Sequence, residues 1–402
     1  MNDTARSVYQ ATLQMLRPEN LIERAFPTLR ESVSAAQRLL VCGAGKASTG
    51  LAAAFVHRCH VAPDGGLLVT KYGHGVPVPG VRVIEAGHPF PNADSLTAGQ
   101  QVVEFARTCT CEDTVFFFLS GGASALMELP RSPWDLALIE RVTRILVSSS
   151  VPIEQINAVR SRVSEVKGGG LSRAFGDAKV VVLVLDDVNG KGLPFIGSGP
   201  FLAPDPSLDP VEILRSRGIP QELPGDSDLP IPERTHIVLG DNRLALELAA
   251  SAAKELGLAV RIEPPPLSGD VELETKRFIA AGRDWLDSTR GPACYLGGGE
   301  PLVTVRGEGL GGRCQEFAAR ASMLIQGLPY TVLAGSTDGT DGPTDVGAAV
   351  VDGLSVQRAG LDPAECLAVS DSLRFIEACG GAIRTGPTQC NVNDIYMMFA
   401  GT

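Results

Sequence analysis

RLLVCGAGKASTGLAAAFVHRC, residues 38–59, decides the fold class. Its first six residues form an apolar run that reads as a buried strand, KASTGLAAAFVHRC carries helical period, and Gly43 and Gly45 supply the turn between them. Strand, glycine turn and helix open a β-α unit, and the pattern recurs outward from it. GGLLVTK (65–71), VRVIEA (81–86), TVFFFLS (114–120) and KVVVLVLDDV (179–188) read as strands, with helices over 95–109, 132–150 and 153–167. The succession predicts a largely parallel sheet covered by helices. After a stretch rich in proline, glycine and acid between Pro200 and Pro232, a second α/β set follows. HIVLGD, AVRIEP, ACYLGGG, LVTVRG, TVLAGST, AAVVDG and DIYMMF read as strands there, with helices at 242–257, 271–288 and 372–380. Two α/β domains are expected, 1–232 and 233–402.

The composition fits a soluble α/β enzyme. The 402 residues are 44% hydrophobic, and a formal net charge of −11 argues against nucleic acid or an anionic membrane as the main partner. An anionic substrate would need a local basic pocket. The strongest apolar run, VVVLVL (180–185), is too short for a membrane span and ends in Asp186 and Asp187. The N-terminus reads as one amphipathic helix rather than a signal peptide, so a cytoplasmic location is expected. Nine cysteines without CxxC pairs read as reduced thiols, and five histidines show no metal-site or triad spacing.

Chemistry concentrates in glycine-rich loops. GGGEPLVTVRGEGLGGRCQE (297–316) reads as a short strand between two glycine clusters, with Arg313 where the second cluster runs into a helix. Free N–H groups at that helix start and a planar guanidinium suit an anion. GAGKAS (43–48) fails as a Walker A loop, because Leu40 stands where a glycine is required, and as a dinucleotide fingerprint, because position 48 is Ser48. The strand–turn–helix layout still puts Lys46 near a helix start. Arg160, Ser164 and Lys167 at i, i+4 and i+7 would share a helical face ending in KGGG, either a solvated basic face or a carboxylate or phosphate site. SGGAS (120–124) reads as a ligand loop or a tight turn with serine caps. Asp338, Asp341 and Asp345 in STDGTDGPTD (336–345) suit Mg²⁺ or turn formation. Asp187, at the tip of a buried strand, asks for a cation or for solvent.

Taken in order, GAGKAS, GHPFPNADS, SGGASAL, RSRVSEVKGGGL, DVNGKGLPFIGSGP, GGGEPLVTVRGEGLGGRCQE, STDGTDGPTD and TGPTQCNVND resemble the glycerate 2-kinase family, whose second half is the MOFRL domain. The resemblance runs from about residue 6 to the C-terminus. It implies a Rossmann-like α/β/α N-terminal domain and a C-terminal α/β domain with a mixed-sheet MOFRL region at about 290–400, the active site lying in the cleft between them. It further implies ATP- and Mg²⁺-dependent phosphorylation of the 2-hydroxyl of D-glycerate. Lys46 and Arg313 would then be the catalytic cations, with Asp187 as a further catalytic or metal-binding group. Substrate binding would fall to Ser120, Gly121, Gly122, Ser124, Arg160 and Lys167. Nucleotide binding would fall to Gly43, Gly45, Gly298, Gly299, Glu300, Gly311, Gly312, Thr337, Asp338 and Asn391, and metal binding to Asp187, Asp338 and Asp341.

The chain departs from the family pattern at DDV (186–188), Lys191, Cys314 of GGRCQE, GGEPLV and TQCN. These departures bear on the substrate and the metal arrangement. Two other function classes stand beside the kinase: an NAD(P)H-dependent hydroxypyruvate reductase, weakened by the incomplete fingerprint, and a nucleotide- or sugar-acid-binding paralogue without catalysis. Expected partners are ATP and a small hydroxy acid, without nucleic acid or membrane, and a homodimer is the assembly considered.

Overall fold

The computed structural model describes residues 2–149, 151–188, 190, 192–225 and 229–401. Asn189 and Lys191 of the DDVNGKG stretch lie outside the described residues. The chain forms two compact units, residues 18–239 and residues 2–17 with 240–401. Helix α1 (Asn2–Met15) therefore belongs with the C-terminal half. The single N-terminal helix expected from sequence is two: α1 stops before Pro18, which opens α2 (Pro18–Ser34). A proline disfavours helical geometry in the residue before it but suits a first helical position.

The first unit continues through β1 (Arg38–Ala44), α3 (Ser48–Cys59), β2 (Gly65–Lys71), β3 (Arg82–Ala86), α4 (Ala93–Thr108), β4 (Asp113–Leu119) and α5 (Ala123–Leu126). Then come α6 (Leu136–Ser148), α7 (Ile153–Val163), α8 (Gly170–Ala174), β5 (Lys179–Leu185), α9 (Pro210–Ser216) and β6 (Thr235–Gly240). The sheet order is β3-β2-β1-β4-β5-β6, with the first five strands mutually parallel. β4 is buried along its whole length, as a central strand covered on both faces must be. Strand order reverses between β1 and β4, and doubly wound sheets bind ligands outside the carboxyl ends at that point.

The second unit adds α10 (Asn242–Glu255), β7 (Ala259–Ile262), β8 (Leu267–Asp270), α11 (Val271–Ser288), β9 (Ala293–Leu302), α12 (Arg313–Leu324), β10 (Tyr330–Ser336) and β11 (Ala348–Asp352). It ends with α13 (Ser355–Ala359), α14 (Pro363–Ala368), α15 (Ser372–Ala378), β12 (Ala382–Ile383) and β13 (Asp394–Ala400). Its sheet is mixed: β13 lies antiparallel between β9 and β10, while β7 and β8 join β9 in parallel. α1 packs on this unit, where the buried Tyr9 hydroxyl donates to Ser336 O at 2.5 Å.

Two sequence expectations fail for identifiable reasons. LVTVRG is not a strand of its own; it ends β9 and then leaves the sheet, because Arg306 N donates to Ser370 Oγ and Gly309 N to Val369 O. The helix expected through Lys167 ends at Val163. Ser164 is extended, Glu165 N donates to Leu129 O, and Ser164 Oγ donates to Glu128 Oε1 at 2.6 Å. Among the described residues no helix is long and apolar enough to cross a membrane, and all nine cysteines are free thiols.

Tyr9→Phe removes the donor to Ser336 O without changing ring packing. We expect it to cost the C-terminal unit about 1–3 kcal/mol, read as a lower midpoint in urea denaturation.

Candidate functional site

In the first unit, β1 and β4 run in register to Ala44 and Leu119, so GAGKAS and SGGAS leave adjacent strands at one level. The two loops are bonded to each other: Lys46 N donates to Gly121 O at 2.9 Å and Ala47 N to Ser120 Oγ at 3.1 Å. Gly45 has φ +136°, and a Cβ there would lie 2.1 Å from Ser120 Oγ, so no other residue fits. Gly43, inside β1, faces the Phe118 backbone as closely. Ser48, standing where a fingerprint glycine is missing, donates to Gly45 O and Val69 O and ties the start of α3 to β2.

Lys46 comes next to Gly122 and His88, since a Cβ on Gly122 would lie 3.3 Å from Lys46 Cγ and 3.1 Å from His88 Cδ2. Ser124, on α5, has its hydroxyl 2.9 Å from that of Ser198, and Ser198 Oγ donates to Asn157 Oδ1 on α7 at 3.1 Å. Ser198 holds φ +63° between Gly197 and Gly199, which are also left-handed. A serine in that region is strained, and such strain gathers at functional sites. Asp187 follows the carboxyl end of β5, the neighbour of β4, and Asp186 closes the turn by accepting from Val188 N.

The predicted Arg160–Ser164–Lys167 face is dismantled by the end of α7. Lys167 is 1% exposed and ion-pairs with Glu128, which also accepts from Ser164 Oγ. Burial lowers the Lys167 pKa, and Glu128 opposes that shift. Its ammonium is therefore satisfied inside the protein, contrary to the expectation that it faces a ligand. Arg160 differs: its buried Nε has no hydrogen-bond partner, and burial lowers the guanidinium pKa. An arginine donor buried without an acceptor is what a carboxylate or phosphate would complete.

In the second unit the anion expected at the start of α12 is supplied by the protein itself. Cys314 N and Gln315 N donate to the two Asp341 oxygens at 3.1 and 2.9 Å, and Gln315 Nε2 adds a bond to Oδ2 at 3.0 Å. Burial, then Asp394, pushes the Asp341 pKa up to about 6. Expected as a metal ligand, Asp341 instead anchors a helix. Gly312, the residue capping α12, passes too close to Asp341 for a Cβ, and Gly311 passes as close to Ser372. Arg313 is held by Asp394, Nε to Oδ2 at 2.5 Å and Nη2 to Oδ1 at 3.2 Å, and by Glu300 at 2.8 Å. Burial works against its charge, yet Asp394 and Glu300 raise its pKa overall.

Gly298 and Gly299 lie inside β9, not in a free loop. A Cβ on Gly298 would fall 1.9 Å from Asn242 Oδ1, and Gly299 meets the Leu267 backbone. Asn242 in turn donates to Val392 O and Asp394 O. Thr337 Oγ1 donates to Asn393 O and accepts from Val392 N, while Thr388 Oγ1 donates to Thr337 O. Asp338 accepts from Ser336 Oγ and from Thr340, and Asn391 is buried, accepting from Asn393 N. STDGTDGPTD and TGPTQCNVND thus form one stitched loop pair.

Sequence reasoning passed over His88, Asn157, Ser198, Glu128 and Asp394. His88, Ser198 and Asp394 stand in the quoted GHPFPNADS, GSGP and TGPTQCNVND motifs, which was the available signal. Asn157 and Glu128 become visible only through long-range partners.

Residues 4–227 match the family described as a domain of unknown function, DUF4147, and residues 293–394 match the MOFRL family. A D-glycerate 2-kinase of Thermotoga maritima is 34% identical, covering 98% of this chain and 97% of its own. An Agrobacterium vitis protein carrying a hydroxypyruvate reductase name is 35% identical, over 90% of this chain and 87% of that one. The crystal structure of a Thermotoga maritima glycerate kinase superposes with a TM-score of 0.87 at 32% identity, covering 99% of both chains.

Two measurements check this geometry. Glu128→Ala leaves Lys167 buried and unpaired and is expected to cost about 3–5 kcal/mol, whereas Glu128→Leu with Lys167→Met recovers most of that loss, as read by urea denaturation. Asp341 has a folded pKa near 6 against 3.8 unfolded, so its contribution is complete below pH 4 and is lost as pH rises through 6. The stability difference between wild type and Asp341→Asn should therefore shrink across that window.

Proposed function

The chain belongs to the glycerate 2-kinase family, and on that premise we propose that it transfers the γ-phosphoryl group of ATP to the 2-hydroxyl of D-glycerate or a closely related sugar acid. The observation that carries the acceptor half is the meeting of Lys46, His88 and SGGAS at the switch point of the parallel sheet. Ser120, Gly121, Gly122 and Ser124 form the acceptor loop, joined by Asn157 and Ser198. Arg160, with its unpartnered Nε, takes the acceptor carboxylate. Lys167 supports this loop through Glu128 rather than touching substrate.

Phosphoryl transfer asks mainly for positioning and for cations around charge that shifts during the reaction. The acceptor oxygen attacks the γ-phosphorus, the bond to the ADP oxygen breaks, and the hydroxyl proton passes to a carboxylate, Asp187 in this reading. Lys46 and Arg313 stabilise the transferring group. Asp394 and Glu300 fix the Arg313 guanidinium in one orientation, and the more exposed Glu300 contact is the one able to yield to phosphate. The nucleotide is read by Glu300 and the Thr337, Asp338 and Asn391 loops, while Gly43, Gly45, Gly298, Gly299, Gly311 and Gly312 permit the close backbone crossings that shape them.

Carboxylate oxygens are the donors Mg²⁺ prefers, and Asp187 and Asp338 would hold it, Asp341 being committed to α12. Among the described residues no group of three or more His, Cys, Asp or Glu side chains is arranged to hold a metal alone, so phosphate oxygens would complete its shell. When bound, the ion would neutralise phosphate charge. A cytoplasmic location and a homodimer remain part of this reading. The reductase reading rests on the names of some relatives; against it, β2 ends in Lys71, where a ribose-binding acid would be required.

Lys46→Ala and Arg313→Ala are each expected to lower kcat/KM for ADP formation with D-glycerate by about 10²–10³-fold. Following ³¹P spectra of ATP with a panel of sugar acids identifies the acceptor carbon. Wild-type rates in both variants, or NADH oxidation with hydroxypyruvate and no ADP, would overturn the proposal.

A further inference from the structure

A cavity of about 640 Å³ in the first unit is lined by none of the residues given a role in phosphoryl transfer except the buried Lys167. Its arginines come from separate elements: Arg107 from the last turn of α4, Arg131 from the segment after α5, Arg162 from α7 and Arg173 from α8. α4 is the crossover between parallel β3 and β4 and so runs against the strands. Its last turn points towards their amino ends, away from GAGKAS and SGGAS. The Arg107 end of the cavity is therefore turned away from the switch-point loops, while its Ala158, Ser161 and Leu208 wall continues into a smaller cavity that reaches Asn157 and Ser198.

Two arginines of this wall, Arg107 and Arg173, meet no carboxylate among the described residues. Arg107 is exposed and has no carboxylate partner among the described residues. Arg173 donates to carbonyl oxygens, Leu229 O at 2.9 Å and Gly168 O at 3.5 Å, which satisfy hydrogen bonds but cancel no charge. Arg131 faces Glu165 at 3.6 Å. The other acids of the cavity are occupied locally: Asp205 accepts from Ser207 N and Oγ, and Asp209 caps α9 through Val211 N. In a chain of net charge −11, several guanidiniums gathered in one concave site need an explanation.

We propose that this cavity binds a hydroxylated small-molecule phosphate at a site separate from the phosphoryl-transfer centre. The phosphate lies on the Arg107, Arg131 and Arg173 side, where guanidinium forks match its oxygens. The ligand hydroxyls face Asp205 and Asp209, whose remaining lone pairs accept hydrogen bonds. The volume suits a sugar phosphate and is too small for a polymer. Occupancy is transmitted to the acceptor loop by backbone already on the cavity wall. Gly168 N donates to Ser198 O, and the Ser198 hydroxyl meets Ser124. Binding alone tests this site, whatever reaction the switch-point loops carry out.

Glucose 6-phosphate is titrated calorimetrically into the full chain, with glucose as the uncharged control. Saturable binding of the phosphate but not of glucose is expected, with Kd raised at least about tenfold in Arg107→Glu/Arg131→Gln. Thermal midpoint and ADP formation should be unchanged in that variant, and Lys46→Ala should bind the probe as wild type does. Equal affinity in wild type and the double variant, displacement by saturating D-glycerate with ADP, or no saturable heat with either glucose 6-phosphate or inorganic pyrophosphate overturns the proposal.

Discussion

The close passage of Gly45 across Ser120 is the constraint on which the first unit's site depends. Two parallel neighbours, β1 and β4, release their loops at the same height, and the loops must then share one small volume. Only a residue without Cβ can cross there, and the serine hydroxyl that would clash with a side chain becomes an acceptor for the next helix turn. The placement of Lys46 beside Gly122 and His88 follows from that crossing. The buried phenylalanines of β4 keep the strand ends fixed while the loops diverge.

At three points of the two units an internal partner meets a strong local potential. Asp341 answers the positive end of α12, Asp394 and Glu300 answer Arg313, and Glu128 answers Lys167. Each arrangement holds a group in one orientation before any ligand arrives, which is how electrostatic stabilisation becomes available without reorganisation. The Arg160 Nε is left out of that scheme, buried with no hydrogen-bond partner.

The fold was legible where burial is continuous. VVVLVL and VFFFL could hardly be anything but central strands, and VELETKRFIAAGRDWLDS forms a helix with the boundaries its period implies. What periodicity could not reveal was competition from distant partners. Ser164 and Glu165 leave a good helical pattern because Glu128 and Leu129 offer them bonds. Val303 to Gly309 abandon a strand-like pattern because the Val369–Asp371 turn takes their donors. For the candidate site, glycine motifs marked the right loops, but they could not distinguish glycines that approach a ligand from glycines that approach Asn242, Leu267 or Asp341.

Helix α1 carries a consequence for biosynthesis. Its Tyr9 seeks a carbonyl 327 positions downstream, at Ser336, and Asn2 bonds to Asp352. During translation the turns of α1 thus wait for partners more than 300 residues downstream, while the interval from 18 to 239 can already collapse around its own core. The apolar stripe of α1, with Val8, Tyr9 and Leu13, is orphaned in the interim. Nascent chains stalled before residue 330 should accordingly be the species that a holdase chaperone captures.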